Sequence, residues 1–203
     1  TMAAIIDGVT VSVTVDETLS FTIAGVDSGS CTGDSGTPTV RTTTAATVPF
    51  STVNTEAFYA GCQTLTVSTN ASDGYSVAAA SNTSLKSAAS DLIDSGTCDG
   101  TCTKDTGGAW ATATNNGLAF YCDEGTGSPC ADAGDSNTEY RIFACSGANA
   151  DCDPGSGGES TVAVMSETVP ASGDVGTIHY KISVSGTQPA GTYSNTVTYV
   201  ATP

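Results

Sequence analysis

Eight cysteines carry most of the reactive chemistry in this chain, and their spacing decides what they can do. They lie at Cys31, Cys62, Cys98, Cys102, Cys122, Cys130, Cys145 and Cys152. None of the short intervals is Cys-x-x-Cys: they are Cys98-x3-Cys102, Cys122-x7-Cys130 and Cys145-x6-Cys152, with Asp, Gly and Pro in the gaps. Zinc sites want paired short spacings and often histidine, and the chain has one histidine, His179. Disulfides are therefore the expected chemistry, and with them an oxidising, extracytoplasmic location. Eight cysteines allow 105 connectivities; Cys31–Cys62 and local pairs in the remainder are preferred. No metal or other cofactor is expected.

A nucleophile is the second chemistry to test. Gly33-Asp34-Ser35-Gly36-Thr37-Pro38 resembles the loop around the serine of trypsin-like proteases. In that family the histidine precedes the serine, whereas His179 follows by more than a hundred residues. It also falls on the polar side of the Ile178/Tyr180 alternation, so it is expected to face water. The loop reads instead as a Gly/Asp/Ser turn beside a disulfide. Catalytic residues: none, and the chain is not expected to be an enzyme.

Other sites have weaker signals. Asp132, Asp135, Asp151 and Asp153 could offer oxygens to calcium, but they match no EF-hand spacing and solvated acidic loops are the default. Asn70-Ala71-Ser72 and Asn82-Thr83-Ser84 are N-glycosylation sequons at expected turns, which makes Asn70 and Asn82 candidate glycan sites. Trp110 with Tyr121, Tyr140, Tyr180, Tyr193 and Tyr199 could stack on sugars, although Tyr180, Tyr193 and Tyr199 sit on the apolar parity of strands and are expected in the core.

The elements that must position these residues are strands. Val9, Val11, Val13, Val15, Leu19, Phe21 and Ile23 all fall on odd positions, with Thr or Ser on most even ones. The parity survives the polar break at Asp16-Glu17-Thr18, so a single strand of about 50 Å would result at roughly 3.3 Å per residue. Strands usually run to about 5–6 residues. Either this one bends between sheets, or its first half leaves the domain to complete a neighbour. Gln63 to Ala80 reads as a hairpin around Asn70–Gly74, and Ile178 to Tyr199 as a second around Gly186–Gly191. Ser84 to Ile93, with Leu85, Ala88, Ala89, Leu92 and Ile93 at helical spacing, predicts one short helix. Six of the eight cysteines fall in residues 81–160, which read as an insertion projecting from one end or edge and held by disulfides rather than by a large core.

Composition agrees with sheet and narrows the partners. In 203 residues there are five Lys and Arg against 21 Asp and Glu, a formal charge of −16. Nucleic acid and anionic membrane surfaces both require basic residues, so neither is expected as a partner. No apolar run approaches the roughly 20 residues of a membrane helix, and Thr1 is expected to follow a removed signal peptide.

Three phrases, V-P-F-S-T-V (48–53), Q-T-L-T-V-S-T-N-A-S-D-G-Y-S-V (63–77) and Q-P-A-G-T-Y-S-N-T-V-T-Y-V-A-T-P (188–203), resemble secreted bacterial pilin-like β-sandwich domains, including spore coat protein U-like subunits. That resemblance implies an all-β, immunoglobulin-like sandwich whose sheet is completed by a strand from the next subunit. The expected function is a structural subunit of an extracellular filament or surface layer, a head-to-tail homopolymer. Val9, Val11, Val13 and Val15 (within 1–15) would be the donor strand, and Ile182, Val184, Val197 and Tyr199 of the C-terminal hairpin the acceptor groove. The alternative is a monomeric adhesin or carbohydrate-binding module that uses the 81–160 insertion to bind glycans.

Overall fold

The computed structural model describes residues 8–125, 127, 129–131, 139–152 and 157–203. The strands, in chain order, are β1 Leu19–Gly25, β2 Thr39–Arg41, β3 Tyr59–Thr69, β4 Tyr75–Ser81, β5 Leu85–Ser87, β6 Leu92–Ile93, β7 Gly108–Ala109, β8 Gly117–Glu124, β9 Glu139–Tyr140, β10 Val162–Glu167, β11 Ala171–Ser183, β12 Tyr193–Ser194 and β13 Val197–Thr202. One 3-10 turn at Asn149–Asp151 is the only helical element among the described residues. The protein is an all-β sandwich.

The larger sheet has the order β1-β3-β11-β8, with β2 added in parallel to the start of β3. The smaller one is β10-β4-β13. Alternate side chains of each sheet meet in a single core: Leu65 and Val67 of β3, Ile178 and Tyr180 of β11 and Phe120 of β8 against Tyr75, Val77 and Ala79 of β4 and Val164 and Met165 of β10. The period of two read in the sequence is the two-faced pattern of these strands.

Neither expected hairpin forms. β3 and β4 lie in different sheets, as do β11 and β13, so the turns at 70–74 and after Val184 carry the chain across the sandwich. Gly74 has φ +78°, and a Cβ there would lie 1.9 Å from the Glu167 carbonyl oxygen, so the crossing needs glycine. Alternation reveals a strand, but not which sheet receives it.

The expected helix at 84–93 is also absent: β5 and β6 pair there, Leu85 opposite Ile93, and β12 joins them. Ser87 explains why. Its Oγ accepts from the backbone N–H of Ala89 (3.2 Å) and Asp91 (3.1 Å), closing a turn in place of a helical ladder.

The four disulfides are Cys31–Cys62, Cys98–Cys102, Cys122–Cys130 and Cys145–Cys152. The cysteine-rich segment does not project from an end. It supplies β8 to the larger sheet, and its residues 98–113 cover that sheet's outer face in an aromatic cluster of Phe58, Trp110, Tyr121 and Tyr140 around Cys98. This is why β8 is apolar on both faces, Phe120 inward and Tyr121 outward.

Candidate functional site

The two long sides of the sandwich differ. On one, β8 and β10 are tied together: Cys122 of β8 is bonded to Cys130, which bridges Met165 of β10, and the backbone N–H groups of Ala131 and Ser166 complete the contact with the Val164 and Pro129 carbonyls. On the other, β1 and β13 are both edges, with no further ladder partner among the described residues. The side chains they send inward, Leu19, Phe21 and Ile23 from β1 and Val197, Tyr199 and Ala201 from β13, pack on the core yet stay half-buried. Their neighbours one strand further in, Leu65, Val67 and Val77, are completely covered.

Open edges are usually guarded by charge, proline or a bulge. β1 is Leu-Ser-Phe-Thr-Ile-Ala-Gly and β13 is Val-Thr-Tyr-Val-Ala-Thr, without a charged residue or proline in either. A row of free backbone donors and acceptors thus runs beside an incompletely covered apolar cleft.

Immediately before β1 lies a segment with the opposite defect. Residues 8–18 form no strand, and Val9, Val11, Val13 and Val15 are 86%, 90%, 87% and 74% exposed. Burying a valine side chain is worth about 1.5–3 kcal/mol, so four held in water at a period of two are a strong drive toward any apolar cleft. The segment is fastened at the polar break. Asn70 Oδ1 accepts from the Thr18 N–H (2.7 Å), Asn70 Nδ2 donates to the Asp16 carbonyl (2.9 Å), and Thr69 Oγ1 donates to the Thr18 carbonyl (2.8 Å). Asn70→Ala removes two of these bonds and, at about 0.5–1.5 kcal/mol for each, is expected to raise amide exchange at Thr18 several-fold while leaving the Leu65 and Val67 amides unchanged, as read by exchange mass spectrometry.

Of the four expected groove residues, Val197 and Tyr199 lie on this edge. Ile182 and Val184 do not: they are 3% and 6% exposed in a third cluster with Tyr59, Leu85 and Ile93. The error follows from the hairpin that is not there, since β11 is an interior strand. The Tyr199 hydroxyl reaches the Tyr180 hydroxyl at 2.6 Å, and Tyr180 donates to Gln63 Oε1 at 2.7 Å, so the edge is anchored into the core by a polar chain. Burial pushes both phenols well above their ordinary range.

A second constellation lies on the covered outer face of β11, where His179, Lys181 and Ser183 point. His179 is 2% exposed and does not face water. Its ring stacks on Tyr121, its Nδ1 is 3.3 Å from Asp34 Oδ2 and 3.1 Å from Cys62 Sγ, and its Nε2 is 3.9 Å from Asp123 Oδ2. The Tyr140 hydroxyl donates to Asp34 Oδ1 at 2.6 Å. Lys181 is fully buried among Phe58, Tyr140 and Trp110, donating to the Ser35 carbonyl (2.6 Å) and the Trp110 carbonyl (2.5 Å). Burial brings its pKa down to about 8, against the opposing pull of Asp34 and Asp99. Sequence reasoning missed this group. The signal was in β8, where Leu118-Ala119-Phe120-Tyr121 is apolar on both parities and so called for a cover on both faces.

The fold therefore does bring the Gly33–Pro38 loop to the histidine, but not as a nucleophile and its base. Ser35 Oγ donates to the Trp110 carbonyl at 2.9 Å and lies 3.3 Å from Lys181 Nζ, while His179 faces two carboxylates and a sulfur. The stacking candidates are likewise spent inside: Trp110, Tyr121 and Tyr140 are buried. Asp151 is paired with Lys86, and Asp132, Asp135 and Asp153 lie outside the described residues. Both sequon asparagines are exposed, with Asn82 Oδ1 accepting from the Thr196 N–H at 2.8 Å. No helix among the described residues is long and apolar enough to cross a membrane. No family model, curated protein or solved structure matches the chain, so its own geometry has to carry the functional argument.

Proposed function

We propose that this protein is the structural subunit of an extracellular filament or surface layer, polymerising when Val9–Val15 of one copy adds to the open β13 edge of the next. The observation that carries the reading is the pairing of two complementary defects in one chain: four valines exposed at alternate positions, and an unguarded edge whose inward side chains are only half covered. Seven residues with four apolar positions match six residues with three, so valines can face Val197, Tyr199 and Ala201 together. Backbone hydrogen bonds supply affinity and the alternating valines supply register, as in β-strand addition generally. A slip by one residue would turn every valine to solvent.

The contact is head-to-tail: each copy has a donor at one place and an acceptor at another, so it propagates rather than closes. The four disulfides fit assembly outside the reducing cytoplasm.

The test is negative-stain microscopy of the full chain beside Val11→Asp/Val13→Asp and, separately, Ala201→Pro, which removes an N–H on the side of β13 that faces away from β4. Filaments from the parent, with folded monomers from both variants, are expected. A parent that stays monomeric at high concentration, and after unfolding and refolding, would overturn the proposal.

A further inference from the structure

The geometry points to a zinc site built from Cys31, Cys62, His179 and Asp34, filled in the chain whose Cys31 and Cys62 are still thiols and replaced by their disulfide on oxidation. One ligand atom from each of these four residues lies within 4.8 Å of the other three. Cys31, Cys62 and His179 are buried, and the Asp34 side chain is 2% exposed. Three elements bring them together: β3 supplies Cys62, β11 supplies His179 directly opposite it in the ladder, and the loop after β1 supplies the other two.

Ligands at about 2.0–2.3 Å from a tetrahedral zinc lie about 3.3–3.8 Å from one another. The His179 Nδ1 distances to Asp34 Oδ2 (3.3 Å) and Cys62 Sγ (3.1 Å) are already close to that edge length. The two sulfurs have to part from bonding distance.

The surroundings are those of a metal site. A ligating histidine is held by a carboxylate on its other nitrogen, and a ligating carboxylate by a hydrogen bond of its own. Asp123 Oδ2 lies 3.9 Å from His179 Nε2, an ion-pair separation rather than a hydrogen bond, and Tyr140 donates to the Asp34 oxygen that does not face the histidine. Two thiolates and a carboxylate around a divalent ion leave one net negative charge, and Lys181, which feels the charge of Asp34, stands by to offset it. Among the described residues no other cysteine pair has a histidine beside it.

The chemistry balances without a further reagent on loading: two thiols bind one Zn²⁺ and release two protons. On oxidation an incoming disulfide is attacked by one thiolate and released as a dithiol by the other. It takes the two electrons, Cys31 and Cys62 become bonded, and Zn²⁺ leaves. The metal would thereby hold the pair with the longest sequence separation, 31, in place until it is closed.

The experiment uses the full chain, unfolded and reduced with a phosphine, then refolded anaerobically with and without one equivalent of Zn²⁺ and pulse-alkylated. Peptide mass spectrometry reads each cysteine. Zinc is expected to slow alkylation of Cys31 and Cys62 at least tenfold and to leave the other six cysteines unchanged. With Co²⁺ in its place, a tetrahedral thiolate spectrum is expected. Asp34→Asn and His179→Gln should each weaken cobalt binding about tenfold or more. Their ability to regain all four disulfides on reoxidation shows that they fold. Equal alkylation of Cys31 and Cys62 with and without zinc in the parent chain would overturn the proposal, as would protection centred on another pair or a cobalt spectrum unaltered by either variant.

Discussion

Raising the pH from 10 to 11 is expected to strip several kcal/mol from the stability of this protein, and to do so through tyrosine. Five phenols, those of Tyr75, Tyr121, Tyr140, Tyr180 and Tyr199, have pKa values raised in the folded state, in each case first by burial. Asp174 adds to the effect at Tyr75, and Asp34 at Tyr121 and Tyr140. In the unfolded chain a tyrosine ionises near pH 10. Below that pH both states hold the proton and there is no effect. Above it the unfolded chain releases protons that the folded chain keeps, so stability falls with pH.

Each fully enclosed phenol then contributes about 1.4 kcal/mol per pH unit. Tyr121, Tyr140 and Tyr180 alone amount to about 4 kcal/mol at pH 11, against a total that is typically about 5–15. Lys181 acts in the other direction over a lower window. Its folded pKa of about 8 lies under the unfolded value, so its contribution grows as pH rises from about 8 toward 10. A stability maximum between about pH 9 and 9.5, followed by a steep drop above pH 10, is the expected profile. Urea unfolding at pH 8, 10 and 11, with absorbance at 295 nm, checks it; ionisation of these five tyrosines near pH 10 in a chain that is still folded would refute it.

Replacing Trp110 by alanine is expected to cost about 3–5 kcal/mol, the range for a fully buried aromatic. For a chain of this size that corresponds to a melting temperature lower by about 10–15 °C. Trp110 is completely covered, meets Phe58 and Tyr140 edge-on at 5.2 and 5.7 Å, and donates from Nε1 to the Asn115 carbonyl at 2.7 Å. The substitution leaves a cavity beside the buried ammonium of Lys181, which loses one wall of its aromatic enclosure. A cysteine-rich segment held only by its disulfides would tolerate the change at under about 1 kcal/mol. Calorimetry of the oxidised variant separates the two, and near-UV circular dichroism locates the loss, because Phe58, Tyr121 and Tyr140 would lose their fixed surroundings while the Leu65/Ile178 core would not.

Which parts of this architecture could be read from residues alone depends on whether the information is local. The strand character of β1, β3, β4, β11 and β13 follows from alternation, and Asp16-Glu17-Thr18 marks where the first apolar run enters the domain. Disulfides between Cys98 and Cys102, Cys122 and Cys130, and Cys145 and Cys152 follow from short spacing. What failed was non-local. A Gly-containing turn such as Asn70–Gly74 serves a hairpin or a crossing between sheets equally well, and only the positions of β10 and β13 on either side of β4 decide for the crossing. His179 was assigned to water because its parity is polar. Nothing within its own strand indicates that a segment some sixty residues earlier lies over it. The helix at 84–93 failed for a local reason: five side-chain positions matched a helical stripe, but Ser87 offers a nearer partner to two backbone N–H groups than the helical ladder would.

The placement of the Cys31–Cys62 bond has a mechanical consequence. Pulled from its two ends, the chain would shear β1 from the seven residues of β3 that it faces and β13 from the six of β4. Once β1 has peeled away, tension reaches Cys31, and the bond passes it directly to Cys62 in the middle of β3. The chain between them, a separation of 31 in sequence and worth about 100 Å when extended at roughly 3.3 Å per residue, is withheld from lengthening. Oxidised chains should therefore yield under load in short steps that end in stiff arrest, and reduced chains should pay out that extra length.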